Sequence, residues 1–319
     1  MFEFLNYKKA LNHIAKDRKE VHPLGEEESN RLKDCLYEMA VDLDERCRKH
    51  GIKLFLVGGS LLGAVRHGGF IPWDDDMDFG MSRRDYRKLI DIFEKEFSGS
   101  YSLRCPNSPY PNGNRFMQIY KKGTVLRTIE GNNPLQPEAV SIDIFPYDFV
   151  PQNLLVRNMK GFRANCLMGI ASCVMEHTYP DKKYEALLKT SKNGRILWAI
   201  RKSIGTLFSF DSPENWFDKV DSAIVYPHQS ACITSATGRK HYFGEIYLTD
   251  VFFPLTEIWF QNHKFYGPKQ YSIYLEGLYG KDYWKLPEKK DRESHFIVEL
   301  KTEQQEYKAN EDCCFDEQL

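Results

Sequence analysis

The stretch Gly58-Gly59-Ser60-Leu61-Leu62-Gly63-Ala64-Val65-Arg66-His67-Gly68-Gly69-Phe70-Ile71-Pro72-Trp73-Asp74-Asp75-Asp76-Met77-Asp78-Phe79-Gly80-Met81-Ser82 decides how this chain reads. Asp74 to Asp78 holds four carboxylates in five residues. At about 4 Å and an effective dielectric near 20, each like-charged pair costs roughly 4 kcal/mol, so the cluster must face bulk water or hold cations. Phe70, Ile71 and Trp73 before it, and Met77, Phe79 and Met81 threaded through it, anchor it in an apolar core. As a strand, Asp76 to Met81 puts Asp76, Asp78 and Gly80 on one face and Met77, Phe79 and Met81 on the other. Carboxylates at i and i+2, with Cα atoms roughly 6.5–7 Å apart, can converge on one or two cations. Asp74 and Asp75 then read as supporting residues.

Upstream, Glu26 to His50 repeats Leu32, Cys35, Leu36, Met39, Leu43 and Cys47 at helical spacing, with Gly51 as a stop. Ile52 to Val57 reads as a buried strand. Gly58-Gly59 ends it, and Ser60 is placed to cap a helix over Leu61 to Arg66. Downstream, Ser82 and Asp85 form a capping-box-like start for a helix burying Tyr86, Leu89, Ile90, Phe93 and Phe97. Strands are expected at Tyr101 to Cys105, Arg115 to Tyr120, Thr124 to Ile129 and Ala139 to Phe145, the last closed by Pro146. Asp143 lies between Ile142 and Ile144, and a buried aspartate there needs a partner or a metal. If its strand lies beside Asp76 and Asp78, three carboxylates form a hard oxygen site suited to Mg²⁺ or Mn²⁺ with substrate phosphates. The Gly58-Gly59-Ser60 turn, at a helix start, offers backbone N–H groups and a dipole to the phosphate. Asp148 reads as a turn residue.

The second half changes character. Leu154 to Met175, Lys182 to Ile204 and Pro213 to Val225 look helical. Ala231 to Leu255 and Ile258 to Phe265 look like short aromatic strands, and Tyr271 to Tyr279 like a last helix. The expected organisation is a catalytic core over 1–150, a helical region over 151–230, and short strands and a helix over 231–319, with a polar tail from 302. The 319 residues carry a net charge of −1, with no sign of the basic domain or stripe of a nucleic-acid-binding protein, and no nucleic-acid partner is expected. The eight cysteines form no C-x-x-C pair, so neither a zinc site nor a redox motif is readable, and reduced thiols are expected. With no secretory leader and no apolar run long enough to span a bilayer, a cytoplasmic protein is expected, able to meet membrane-linked substrates at the inner face.

The order of strand, glycine turn, Asp-apolar-Asp strand and later apolar-Asp-apolar strand resembles the polymerase-beta-like nucleotidyltransferase fold. That is an α/β (α+β) core sheet, here with a helical insertion and a C-terminal extension. The longer text is more specific. Gly58 to Leu89 and Leu275 to His295 resemble the LicD family of phosphotransferases, which also takes in fukutin-related proteins. The resemblance implies Mg²⁺-dependent transfer of phosphocholine, or a related phospho-alcohol such as ribitol phosphate, from a CDP-linked donor such as CDP-choline to a glycan or glycolipid hydroxyl. Teichoic acid and other surface glycans are among the acceptors it implies. Asp76 and Asp78 match the metal pair, Asp143 the third carboxylate and candidate base, Gly59 and Ser60 the phosphate turn, and Arg66 and His67 the Arg-His of the motif. Gly58 and Asp75 complete the expected substrate contacts. Gln118 and Tyr120 stand where the family often has a basic residue. Tyr242, Phe243, Tyr247, Trp259, Tyr279 and Trp284 are candidates for an aromatic cage around a choline ammonium. A true nucleotidyltransferase releasing pyrophosphate, and a non-catalytic metal- or glycan-binding member, are the alternatives.

Overall fold

The computed structural model describes residues 25–128, 133–288 and 297–302. Its first half comprises α1 (Glu26–Lys49), β1 (Phe55–Leu56), α2 (Gly58–His67), β2 (Asp78–Ser82), α3 (Arg83–Glu96), β3 (Tyr101–Arg104), β4 (Met117–Lys121), β5 (Val125–Thr128) and β6 (Ser141–Phe149). The helices α4 (Leu154–Thr178), α5 (Lys182–Leu188), α6 (Lys192–Phe208) and α7 (Pro213–Ile224) follow. The remainder is β7 (Cys232–Thr234), α8 (His241–Gly244), β8 (Ile246–Leu248), α9 (Thr249–Phe252), β9 (Thr256–Phe260), β10 (His263–Gly267), α10 (Tyr271–Tyr279) and β11 (Ile297–Lys301).

The main sheet runs β3-β4-β6-β2-β1-β10-β9, with β7 and β8 attached to the far end of β6. The pairs β2–β6 and β1–β10 are parallel and the rest antiparallel. This is the mixed α/β architecture expected, consistent with a nucleotidyltransferase-like fold. Its core packs Leu32, Leu36, Met39 and Leu43 of α1 and Tyr86, Leu89 and Phe93 of α3 with Phe55, Phe79, Met81, Ile142 and Ile144 of the sheet. A second cluster, with Ala164, Met168 and Val174 of α4 and Trp216 and Val220 of α7, holds the helical layer. Arg83 fastens the two. It donates to Asp148 Oδ1 and Oδ2 at 2.8 and 2.7 Å and to Asp221 Oδ1 at 2.7 Å. Asp148 is therefore a buried ion-pair partner in β6, not a turn residue.

Several expectations about elements are corrected. The strand expected at Ile52 to Val57 shrinks to Phe55–Leu56, because Ile52 N–H returns to Cys47 O at the end of α1 and the glycine turn begins at residue 58. β6 does not stop at Pro146 but runs on to Phe149. Residues alternate their N–H groups between the two neighbouring strands, and Pro146 shares the side of Ile142 and Ile144. On that side β4 has ended opposite Ile144 and β7 begins opposite Asp148, so the missing N–H falls in a gap. β5 pairs with β11 in a separate two-stranded sheet. The helix expected over Lys182 to Ile204 is broken, with Ser191 Oγ accepting from Gly194 N–H to start α6. The region from Ala231 to Leu255 includes two short helices as well as strands. Ile129, the tail beyond Thr302, His295, Cys313 and Cys314 lie outside the described residues. Among the described residues no cysteine is in a disulfide, and no helix is long and apolar enough to cross a membrane.

Candidate active site

Three strands align the reacting groups. Asp143 in β6 is the register partner of Asp78 in β2 and of Gln118 in β4, so the three residues form one row across the sheet. Directly opposed residues share a face and adjacent strands lie about 4.8 Å apart, which sets the two carboxylates side by side. Gln118 Nε2 donates to Asp143 Oδ1 at 2.9 Å. Tyr120 Oη and Gln136 Nε2 both donate to Gln118 Oε1, which fixes the amide so that its NH₂ faces the carboxylate. Gln118 is thus a neutral donor that orients Asp143.

The glycine turn closes on the acids. The N-cap of α2 is Val57, and the helix begins at Gly58. Ser60 is therefore not the cap. It is buried one turn in, and its Oγ accepts the Asp78 N–H at 2.8 Å, tying α2 to the start of β2. Gly58 has φ +53°, and a Cβ there would lie 2.9 Å from Asp78 Oδ2; a Cβ on Gly59 would lie 2.8 Å from Asp74 Oδ2. Both positions need glycine because carboxylates press on the backbone. The Gly58 N–H is taken by Tyr274 Oη at 3.0 Å. The first intrahelical bond is Leu61 N–H to Val57 O, so the Gly59 and Ser60 N–H groups belong to the unbonded first turn.

The strand β2 starts at Asp78, so Asp76 precedes it and does not share its pleat. Asp74, expected only to support, abuts the turn. Asp75 is buried, and Asp74 and Asp75 both act on Lys33 of α1, whose amine donates to Pro72 O at 2.6 Å. Burial pushes the Tyr279 hydroxyl well above its ordinary range, reinforced by Asp78, Asp74 and Asp76 and opposed by Arg239. Asp78, Asp74 and Asp76 thus all lie within electrostatic range of Tyr279. Arg66 Nη1 donates to Tyr283 O at 2.9 Å and Lys285 O at 3.3 Å, and its Nε bonds His67 Nε2 at 3.0 Å. Burial lowers its pKa, while Tyr279 and Asp74 pull upward. Arg66 thus clasps the acidic motif to the C-terminal motif. His67 is exposed, meets Trp73 edge-on at 6.2 Å, and is held below its ordinary pKa by desolvation and Arg66.

Among the described residues no three His, Cys, Asp or Glu side chains stand in ready-made metal-ligating geometry. The donor set still fits a hard cation. It offers carboxylates only, a row-paired Asp78 and Asp143, and Asp74 and Asp76 within electrostatic reach of the same tyrosine. The six aromatics considered for a cage differ in their burial. Tyr242 and Tyr247 are core residues, Trp259 and Trp284 are exposed, and of the six Tyr279 is the one whose surroundings include the acids. Reading the sequence missed Lys33 and Tyr274, which lie far along the chain from the residues they touch.

Residues 51–162 match the LicD/FKTN/FKRP nucleotidyltransferase domain. The chain carries a LicD-family domain. It is 27% identical over 262 residues to the lipopolysaccharide cholinephosphotransferase LicD of Haemophilus influenzae, covering 79% of this chain and 90% of that protein. Over 35 residues it is 57% identical to the human ribitol 5-phosphate transferase FKRP, 11% of this chain and 7% of that one. An uncharacterised Rickettsia prowazekii protein, RP689, is 48% identical over 57 residues, 18% of this chain and 21% of that one. The LicD-type domain contains β1, α2, β2 and β6, and thus both carboxylate strands and the glycine turn.

Proposed function

We propose that this LicD-type enzyme transfers phosphocholine, or a related phospho-alcohol, from a CDP-linked donor to a glycan hydroxyl, assisted by Mg²⁺. The observation that carries the reading is the Gln118–Asp143–Asp78 row beside a glycine turn at a helix start. It is joined by the likeness to a cholinephosphotransferase along most of the chain.

In this reading the donor diphosphate lies against the first turn of α2, where the Gly59 and Ser60 N–H groups and the helix dipole favour anionic oxygen. Asp78 and Asp143, with Asp76 or Asp74, would hold the cation, which when bound neutralises phosphate charge and lowers the pKa of a coordinated hydroxyl. Asp143, oriented by Gln118, accepts the proton of the acceptor hydroxyl. The hydroxyl oxygen bonds to the alcohol-bearing phosphorus as the bond from that phosphorus to the CMP oxygen breaks, and CMP departs. Positioning and charge stabilisation carry most of the rate, as in other phosphoryl transfers.

The test is incubation of the purified protein with CDP-choline, CDP-ribitol or CDP-glycerol, Mg²⁺ and a glycan acceptor, following CMP. Metal-dependent CMP release with one donor is expected. Pyrophosphate release from CTP in place of CMP release would establish nucleotidyl transfer instead.

A further inference from the structure

Between the segment leading into β4 and the helices α4 and α7 lies a cavity of about 240 Å³, which connects to Asp143 through Gln136 and Gln118. Its wall includes Asn114, Arg115, Gln136, Ser172, Glu176 and Phe217. Arg115 is the unusual member. Burial holds its guanidinium below its ordinary pKa with no carboxylate pulling it back, and its Nε is buried without a hydrogen bond among the described residues. A desolvated cation with an unmet donor is costly unless an anion completes it. Glu176 is paired with Arg201, which donates to its Oε2 at 2.8 Å and its Oε1 at 2.6 Å, and among the described residues no hydrogen bond joins it to Arg115. Asn114 Oδ1 accepts from the Arg115 backbone N–H at 2.8 Å and so leaves the guanidinium Nε unmet.

The cavity is coupled to the reacting end. Gln136 on its wall donates to Gln118, and Gln118 donates to Asp143. The sheet order β4-β6-β2-β1 separates the sides: the turn that suits donor phosphates follows β1, whereas Arg115 precedes β4.

Resting on the transfer reaction proposed above, we propose that this cavity binds an oxyanion of the acceptor, a phosphate or a sugar carboxylate, on Arg115, so that the acceptor hydroxyl reaches Asp143. The acceptor class is therefore an anionic glycan. A planar guanidinium fork suits either oxyanion.

The experiment is calorimetric titration of the full chain in EDTA with inorganic phosphate and, separately, with glucuronate. EDTA removes metal-assisted binding at the glycine turn, and no turnover is needed, so the result is independent of whether CMP is released. Wild type is expected to bind at least one probe, and the tighter one names the acceptor's anion. Arg115→Met should weaken binding at least about tenfold, and Arg115→Lys should recover part of it. Ser172→Asp, which leaves Arg115 intact but adds a negative charge to the opposite wall, should weaken binding also and covers the case in which Arg115→Met fails to fold. No binding of either probe to wild type, or binding that survives both Arg115→Met and Ser172→Asp, overturns the proposal.

Discussion

Asp78 and Asp143 are adjacent in one row of the sheet, and the same closeness that makes them useful makes them costly without a cation. Function and stability should therefore separate at these residues. Asp143→Asn and Asp78→Asn are each expected to lower CMP release by at least about 100-fold, the scale of losing a proton acceptor or a charged ligand. Thermal unfolding in EDTA should show a midpoint unchanged or raised, since one like charge has gone. A large fall in that midpoint would assign the carboxylates a structural role. Gln118 belongs to the same scale: its amide donates to Asp143 while its own oxygen is held from two sides, a rigid mount for the candidate base.

At the scale of elements, Arg83 joins the start of α3, the end of β6 and α7 through two aspartates. Asp148 is 1% exposed and Asp221 5%, so removing the cation leaves two buried charges unpaired. Arg83→Met is expected to destabilise the fold by about 3–5 kcal/mol, measured by urea unfolding. A loss below 1 kcal/mol would show that water or rearrangement relieves the aspartates. Arg66 and Tyr274 act between elements in a different way. Each reaches from one motif to the other, so that α10 and the segment after it cover the turn between β1 and α2.

For the molecule as a whole, Glu245 sets a pH dependence. It is 2% exposed, and burial raises its carboxyl from 4.5 to about 7, against the Lys240 N–H bond at 2.9 Å and the Lys240 and Arg239 charges. Its charge would also bear on the hydroxyls of Tyr147, Tyr247 and Tyr274, from three different elements. The folded form keeps its proton to a higher pH than the unfolded chain. Stability from this group is thus full below about pH 4.5, falls as the pH rises towards 7 and is level above. The loss is on the order of 3 kcal/mol for a shift of this size. Glu245→Gln should flatten that slope in chemical unfolding series from pH 5 to 8. An unchanged slope would remove Glu245 as its cause.

Periodicity made most elements legible. Helical spacing in α1, the Ser82 cap and the Tyr271–Tyr279 helix are local patterns, and local patterns survive folding. The partnership of the acidic motif with the later apolar-Asp-apolar strand was legible too, since a buried aspartate demands company. What depended on distant partners was not legible. Gly59 faces Asp74, Asp148 is locked to Arg83, β6 passes through Pro146, and Arg115 is stranded beside a cavity. Each of these follows from which strand or helix comes to lie alongside. The carboxylates, the glycine turn and the family they resemble are legible in the chain alone, because residue type and short-range spacing carry that information. That Gln118, Asp143 and Asp78 share one row emerges from the folded sheet, since register between strands far apart in the chain is set by the packing of the whole sheet.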